Sequence, residues 1–335
     1  MKSIRSSIGN FIQKSGFLRP PLVSIARSHF RILFYHIVCD EIPVYYFHDK
    51  AIRIHDFKEQ IRFLKQHFTF ISLPEALKRA ESGRSLKGYI SLTTDDGFLE
   101  NLTVMAPILQ EENIPACFFL LNDCIDNKSL MWRNKLACIY NRLGEDRSGE
   151  LMRDFATQHD VPFPGKRDNI LTWSRKAFPM NRKESFTATL WEWAGMEPVR
   201  DFLDKYTPYL TLDQIKLLVD AGFNIGAHTN SHPVCSQLTF EELESEVIGS
   251  MLGIRSKTGM DITMFSYPFE KRPPREMEQK LIDKHRDMLK VMLGIRNNMN
   301  NQHPYKWERD LQESDPGDAS FRFLVLPMIR KLSGI

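Results

Sequence analysis

The hydrophobic pattern of this 335-residue chain changes period again and again. Ile32-Leu33-Phe34-Tyr35-His36-Ile37-Val38 is a near-continuous apolar run interrupted by one histidine. Its length and its aromatic and β-branched content predict a buried strand, as in a parallel sheet. Phe57, Ile61, Leu64 and Phe68 then recur at helical spacing. Thr69-Phe70-Ile71 predicts a short strand, and Ser72-Leu73-Pro74-Glu75 has capping-box spacing, opening a helix through Ala80. Gly88-Tyr89-Ile90-Ser91-Leu92-Thr93 alternates and is rich in β-formers, so it predicts a strand that ends at the turn Asp95-Asp96-Gly97. A helix over 99–112 and a strand over 116–121 follow.

After residue 207 the alternation resumes. A helix starts at Thr211 and stops at Gly222, a strand covers 223–227, and Thr239 caps another helix. A strand over 262–267, a helix over roughly 275–290 and a strand over 290–295 complete the series. Strands alternating with helices at this density argue for a parallel sheet or a βα barrel. Residues 123–207 break the rhythm. They carry Trp132, Trp173, Trp191 and Trp193, show helical periodicity in places and contain no convincing strand. The stretch reads as a helical insertion in the barrel. Leaving from the C-terminal end of a barrel strand, it would stand over the face where barrel active sites form, as a lid or substrate platform. A structural elaboration is the plainer alternative. The expected organisation is an N-terminal arm over 1–30, barrel segments over 31–122 and 208–335, and the insertion over 123–207.

Composition changes this picture only in places. Hydrophobic content of 42% and charged content of 26% are ordinary for a globular protein, and a net charge of +3 does not point to nucleic acid. The first 31 residues, however, hold Lys2, Arg5, Lys14, Arg19, Arg27 and Arg31 with no acidic residue. They are interrupted by Gly16 and Pro20-Pro21 and lack the long apolar core of a secretory signal. This arm suits contact with an anionic membrane surface, or packs on the domain as a solvated arm. Apolar runs such as 116–121 are too short to span a bilayer. Five cysteines without metal or redox spacing fit free, buried thiols in a reducing cytosol. The expected location is therefore cytoplasmic, with peripheral contact at the inner membrane face as its extension. The insertion's basic pairs, Lys166-Arg167, Arg175-Lys176 and Arg182-Lys183, suit a substrate diphosphate or form a solvated face.

Candidate chemistry sits in two stretches. Turn preference alone explains Asp95-Asp96-Gly97. His228 and His232 lie in GAHTNSHP, where a strand precedes them and Pro233 follows, so a loop is expected. Two histidines and an aspartate at the ends of neighbouring strands can supply three ligands to a divalent metal and leave positions open for water.

Together with Phe265-Ser266-Tyr267-Pro268-Phe269, the stretches TTDDGF and HTNSHP resemble the polysaccharide deacetylase family, the NodB-like carbohydrate esterases, over most of 31–122 and 208–310. The resemblance implies a distorted (β/α) barrel and metal-dependent hydrolysis of N-acetyl groups on sugars. Residue by residue, it makes Asp96, His228 and His232 the metal ligands and Asp95 the general base. Phe269 stands in a Pro-Tyr element whose backbone N–H helps hold the oxyanion, a role that does not depend on the side chain. Thr94 replaces a phenylalanine common in relatives. Ser266 stands where many carry an arginine that orients the base. Arg309 can reach the site instead, but a surface ion pair is the plainer expectation.

Those relatives end with Leu-x-His, whose histidine protonates the leaving amine. Here only His285 and His303 follow Pro268. Phe34-Tyr35-His36-Ile37-Val38 resembles the Tyr-His-x-Val strand of a permuted group similar to enzymes acting on poly-N-acetylglucosamine, which makes His36 the expected acid, with His303 as the fallback. The implied cofactor is a divalent metal, zinc first, with cobalt, nickel or iron suited to the same donors. The implied substrate is an acylated amino sugar: a nucleotide- or lipid-linked precursor of a surface polysaccharide, or an oligosaccharide. Two rival readings are a non-catalytic carbohydrate-binding protein on the same barrel and a hydrolase of another N-acyl group such as formyl.

Overall fold

A computed structural model describes residues 2–15, 19–47, 51–269, 272–295, 304–311, 316–326 and 328–329. Its strands are β1 (Arg31–Tyr35), β2 (Thr69–Phe70), β3 (Tyr89–Thr94), β4 (Ala116–Leu120), β5 (Asn224–Ala227), β6 (Met264–Ser266), β7 (Val291–Gly294), β8 (Lys306–Glu308) and β9 (Asp310–Leu311). They form one sheet in the order β8-β7-β6-β5-β4-β3-β1-β9, with β2 pairing β3 outside this path. Every pairing is parallel. Only Arg309 separates β8 from β9, yet these strands lie at opposite ends of the sheet. The two edges therefore meet at one residue, and the sheet is a nearly closed, distorted (β/α) barrel.

Alternation along the strands sorts the side chains. Ile32, Cys117, Phe119, Met264, Leu293 and Trp307 join in one buried cluster drawn from strands all round the sheet, which only a barrel interior can hold. The helix Leu73–Glu81 adds Leu73, Ala76 and Leu77 to that cluster and closes the N-terminal end. Outward-facing Leu33, Tyr35, Leu92, Phe118, Ile225 and Phe265 pack beneath the helices. Those helices are Ile54–His67, Leu212–Asp220, Phe240–Thr258 and Arg275–Lys284. Thr211 and Thr239 both form complete capping boxes, with Gln214 and Glu242.

Three local expectations change. The segment predicted as a helix over 99–112 opens with a π-helical turn, Asn101–Met105, before the α-helix Ala106–Glu111. The helix predicted over 275–290 ends at Lys284. Strands β8 and β9 were not anticipated, because two or three residues such as Lys306-Trp307-Glu308 give no period to read.

The arm is helical. Lys2–Lys14 and Arg19–Ala26 bury Ile12, Leu22, Val23 and Ala26 and pack against residues 316–325. The crossing is close: a Cβ on Gly9 would lie 1.8 Å from the Gly317 carbonyl oxygen. Ile4, Ile8 and Phe11 remain exposed.

Between β4 and β5 stand the helices Trp132–His159, Ile170–Ala177, Lys183–Trp193 and Val199–Tyr206. The first is broken at Gly144, whose φ of +76° only glycine adopts readily. Trp132, Phe155, Trp173, Phe186, Leu190 and Trp191 form a second apolar core. Burial of each such side chain stabilises by roughly 1.5–3 kcal/mol. Hydrogen bonds tie these helices to barrel loops. Trp132 Nε1 donates to the His232 carbonyl at 2.8 Å, Asn134 Nδ2 to the Tyr45 carbonyl at 2.8 Å, and Lys183 Nζ to Ser231 Oγ at 2.8 Å.

Candidate active site

The chemistry collects where strands end. Asp95 N–H donates to the Tyr35 carbonyl at 3.0 Å, which continues β3 by one residue and keeps Asp95 on the inward face with Ser91 and Thr93. Asp96 and Gly97 then take φ of +72° and +71°, turning the chain. His228 extends β5 in the same way, donating to the Leu120 carbonyl at 2.8 Å. Its loop is held by Glu246, which accepts from Asn230 N–H at 2.8 Å and Ser231 N–H at 3.0 Å, and by Thr229 Oγ1, which accepts from His232 N–H at 3.0 Å. Asp96, Thr229, His232 and Phe269 all have positive φ. Non-glycine residues rarely adopt that region, at a cost of about 1–3 kcal/mol each, and they gather where function holds them. Asp95, Asp96, His36, His228, His232 and Phe269 line one cavity of about 240 Å³.

Asp96 Oδ1 lies 3.5 Å from His228 Nε2 and 3.5 Å from His232 Nε2, and the three donors fall within 4.8 Å of one another. Burial pushes the His228 pKa down against the pull of Asp95 and Asp96. Burial lowers that of His232 further, with His228, Arg133 and His36 adding to the effect. Both rings are therefore neutral at pH 7, each with a lone pair to offer. His228 Nδ1 contacts the Ser266 carbonyl at 2.8 Å. A carbonyl can only accept, so Nδ1 carries the proton and Nε2 faces Asp96 unprotonated.

Asp96 Oδ1 is buried with no hydrogen-bond partner among the described residues. Burial raises its pKa, opposed by His36 and His228. A buried, unpartnered carboxylate oxygen between two neutral imidazoles has the chemistry to hold a cation. Bonds of about 2.0–2.1 Å set the donors of a tetrahedral ion roughly 3.4 Å apart. The 3.5 Å separations match, so these residues fit a divalent metal.

Asp95 is held differently. Arg309 grips it with two hydrogen bonds, Nη1 to Oδ1 at 2.8 Å and Nη2 to Oδ2 at 2.7 Å, and Ser266 Oγ donates to Oδ1 at 3.3 Å. Burial pushes the Asp95 pKa upward, but Arg309 and His228 outweigh it and hold the carboxyl at about 2. The expected surface ion pair of Arg309 is thus corrected: the residue is 0% exposed, at the barrel seam, with its guanidinium over the Phe34 ring. The sequence left both placements of Arg309 open, since only barrel closure turns the side chain toward Asp95.

His36 lies one residue beyond β1, partly exposed on the cavity wall. Its carbonyl accepts from Asn101 Nδ2 at 2.8 Å, and Asn101 in turn accepts from Thr94 Oγ1. The Phe269 ring packs 4.8 Å from that of His232. His303 lies outside the described residues. Arg133 and Arg175, from the helices over the barrel, also line the cavity. The basic pair Arg175-Lys176 was visible in the sequence, whereas nothing marked Arg133.

A scan against protein-family models matched residues 168–292 to polysaccharide deacetylase, a span holding His228, His232 and Phe269. Among solved structures, the chain is similar to IcaB from Ammonifex degensii, at 15% identity and a TM-score of 0.56 over 89% of this chain and 97% of that one. It is similar to the Streptococcus pyogenes deacetylase PplD in complex with acetate, at 13% identity and 0.55 over 88% and 98%. A de-N-acetylase from Aggregatibacter actinomycetemcomitans aligns at 13% identity and 0.54 over 88% and 100%. At these identities the likeness is one of fold. A search of the curated proteins found no match.

Proposed function

We propose, from the premise that this chain resembles the NodB-like polysaccharide deacetylases in motif, in family match and in fold, that it is a metal-dependent deacetylase acting on an N-acetylated amino sugar. The observation that carries this reading is the set of ligand atoms on Asp96, His228 and His232, within 4.8 Å of one another beside an ionised Asp95. Two imidazoles and a carboxylate suit Zn²⁺, and Co²⁺, Ni²⁺ or Fe²⁺ take the same donors. Held by Asp96, His228 and His232, such an ion would supply Lewis acidity toward an acetamide carbonyl and a water.

The chain's own groups do the rest. Asp95, fixed by Arg309 and Ser266, takes the proton of the attacking water. With a pKa held at about 2 it is a weak base, so it can serve only on water whose acidity has already been raised. The Phe269 backbone N–H meets the charge that develops on the carbonyl oxygen. His36 protonates the departing nitrogen, since an amine leaves poorly as an anion. Acetate and a free amino sugar are the products. The cavity of about 240 Å³ falls below the roughly 300–1,000 Å³ of drug-sized sites and suits a single sugar unit.

The substrate in this reading is a nucleotide- or lipid-linked precursor handled in the cytoplasm or at the inner membrane face. All five cysteines are free and buried, as suits a reducing compartment. The helix Lys2–Lys14 exposes Ile4, Ile8 and Phe11 along one face amid basic residues, which suits an anionic lipid surface. No helix among the described residues is long and apolar enough to cross a membrane.

Elemental analysis and acid release test the proposal together. Wild-type protein equilibrated with zinc is expected to hold one ion per chain, and His228→Ala and His232→Ala to lose it. Asp95→Asn should keep the ion, while acetate release falls by about 10²- to 10⁴-fold. Folded wild type without specific metal would sink the mechanism. Sugar binding without any released acid would favour the carbohydrate-binding alternative, and formate in place of acetate would change the acyl group.

A further inference from the structure

We infer that Arg133 and Arg175 form an anion subsite beside the metal ligands, and that the amino sugar carries a phosphoryl group there. The inference takes the reacting end of the substrate from the deacetylase reading, but the phosphoryl contact is testable without it.

Arg133 lies in the first turn of Trp132–His159, and Arg175 in the last turn of Ile170–Ala177. Both line the cavity that holds Asp96 and His232. Their guanidinium carbons lie 4.8 and 5.7 Å from the centroid of the Phe269 ring, the same ring that packs on His232. Arg133 is half-buried, and Arg175 is exposed. The shared Phe269 ring sets both guanidinium groups beside His232, so an anion held between them adjoins the reacting end of the sugar.

The pair lacks what the buried arginines have. Arg31 is bonded to Asp310, Arg272 to Glu278 and Glu308, and Arg309 to Asp95. Neither Arg133 nor Arg175 makes an ion pair with a described residue. Asp95 and Asp96 are the only carboxylates among the described cavity lining. Arg309 occupies the first, and two imidazoles face the second. Burial and the field of Arg175 weaken the hold of Arg133 on its proton, against the pull of Asp96 and Tyr46. Two like charges facing one cavity without a counter-ion are unfavourable until an anion enters.

The number of donors selects the anion. One guanidinium fork already satisfies both oxygens of a carboxylate, as Arg309 does for Asp95. A phosphoryl group offers three oxygens and up to two charges, enough for two forks. Phe269 contributes a cation–π surface that keeps both side chains over the cavity.

The test measures binding of N-acetylglucosamine 1-phosphate and of neutral N-acetylglucosamine by calorimetry, using wild type, Arg133→Gln and Arg175→Gln. Metal content and melting temperature are recorded for each protein. Each variant is expected to bind the phosphorylated sugar about 10- to 100-fold more weakly, with neutral-sugar binding and metal content unchanged. Raising the salt from about 50 to 500 mM should weaken phosphorylated-sugar binding to wild type much more than to the variants. Arms with UDP-N-acetylglucosamine and a short polyprenyl-diphosphate N-acetylglucosamine distinguish the two sources of the phosphoryl group, since whichever binds more tightly than the bare sugar phosphate supplies it. Unchanged affinity in both variants, or equal loss for charged and neutral sugars, overturns the subsite. Acetate release is scored separately. Binding through the arginines without any acid released would overturn the deacetylase reading and leave the subsite standing. Hydrolysis insensitive to both substitutions would do the reverse.

Discussion

Replacing Arg309 with methionine removes the guanidinium that holds Asp95 and leaves an apolar side chain of similar length at the barrel seam. The pair is buried on both sides, with hydrogen bonds of 2.8 and 2.7 Å, and Arg309 also donates to Thr93 Oγ1 at 3.2 Å. Removing one partner of such a pair strands the other charge, and the expected loss is about 3–5 kcal/mol. Ser266, which still donates to Asp95, keeps the loss toward the lower end. A domain of ordinary stability, about 5–15 kcal/mol, remains folded in the cold after such a loss.

The sign of the pH dependence follows from the same pair. With Arg309 present, the folded Asp95 pKa of about 2 lies below its ordinary 3.8, so the stabilisation is full above 3.8 and fades as pH falls through 2. In the variant burial acts unopposed by the guanidinium and the pKa rises, so the penalty is greatest at neutral pH and shrinks as Asp95 takes up a proton. Urea denaturation of metal-stripped wild type, Arg309→Met, Asp95→Asn and the double variant at pH 7 and near pH 4 measures both effects. A coupling of roughly 2–3 kcal/mol is expected at pH 7, because the double variant leaves no stranded charge. A loss under about 1 kcal/mol, additivity within about 0.5 kcal/mol, or a gap that does not narrow in acid would refute the reasoning.

Two other substitutions probe the scaffold. Trp132→Phe leaves the buried His232 carbonyl unpaired; it should cost about 1–3 kcal/mol in urea and weaken zinc binding in a competition titration about 10- to 100-fold. Gly226→Ala places a Cβ 2.3 Å from the Phe119 ring and 3.0 Å from the Met264 carbonyl oxygen, so thermal and urea denaturation should report a loss of about 1–3 kcal/mol. That ring also lies beneath Arg309, so the same variant should release acetate more slowly from an acetylated amino sugar.

The sequence alone was enough for the elements that are long or strongly patterned, and for residues whose chemistry is carried by neighbours along the chain. The apolar runs behind β1 and β4 can pack only when covered on both faces, and their alternation with helices argued for a parallel sheet or a βα barrel. Asp95-Asp96 and the two histidines of GAHTNSHP were legible because a strand's end places consecutive residues at one mouth. The rest depended on closure. Strands β8 and β9 are too short to show a period, and Arg309 meets Asp95 across 214 positions of chain only because the two edges of the sheet come together there. Arg133 and Arg175 share a cavity with Asp96, His228 and His232 only because the helices Trp132–His159 and Ile170–Ala177 fold back over the barrel mouth. A charged side chain carries no mark of its partner, since ion pairing depends on distance in space, and that distance is set by packing.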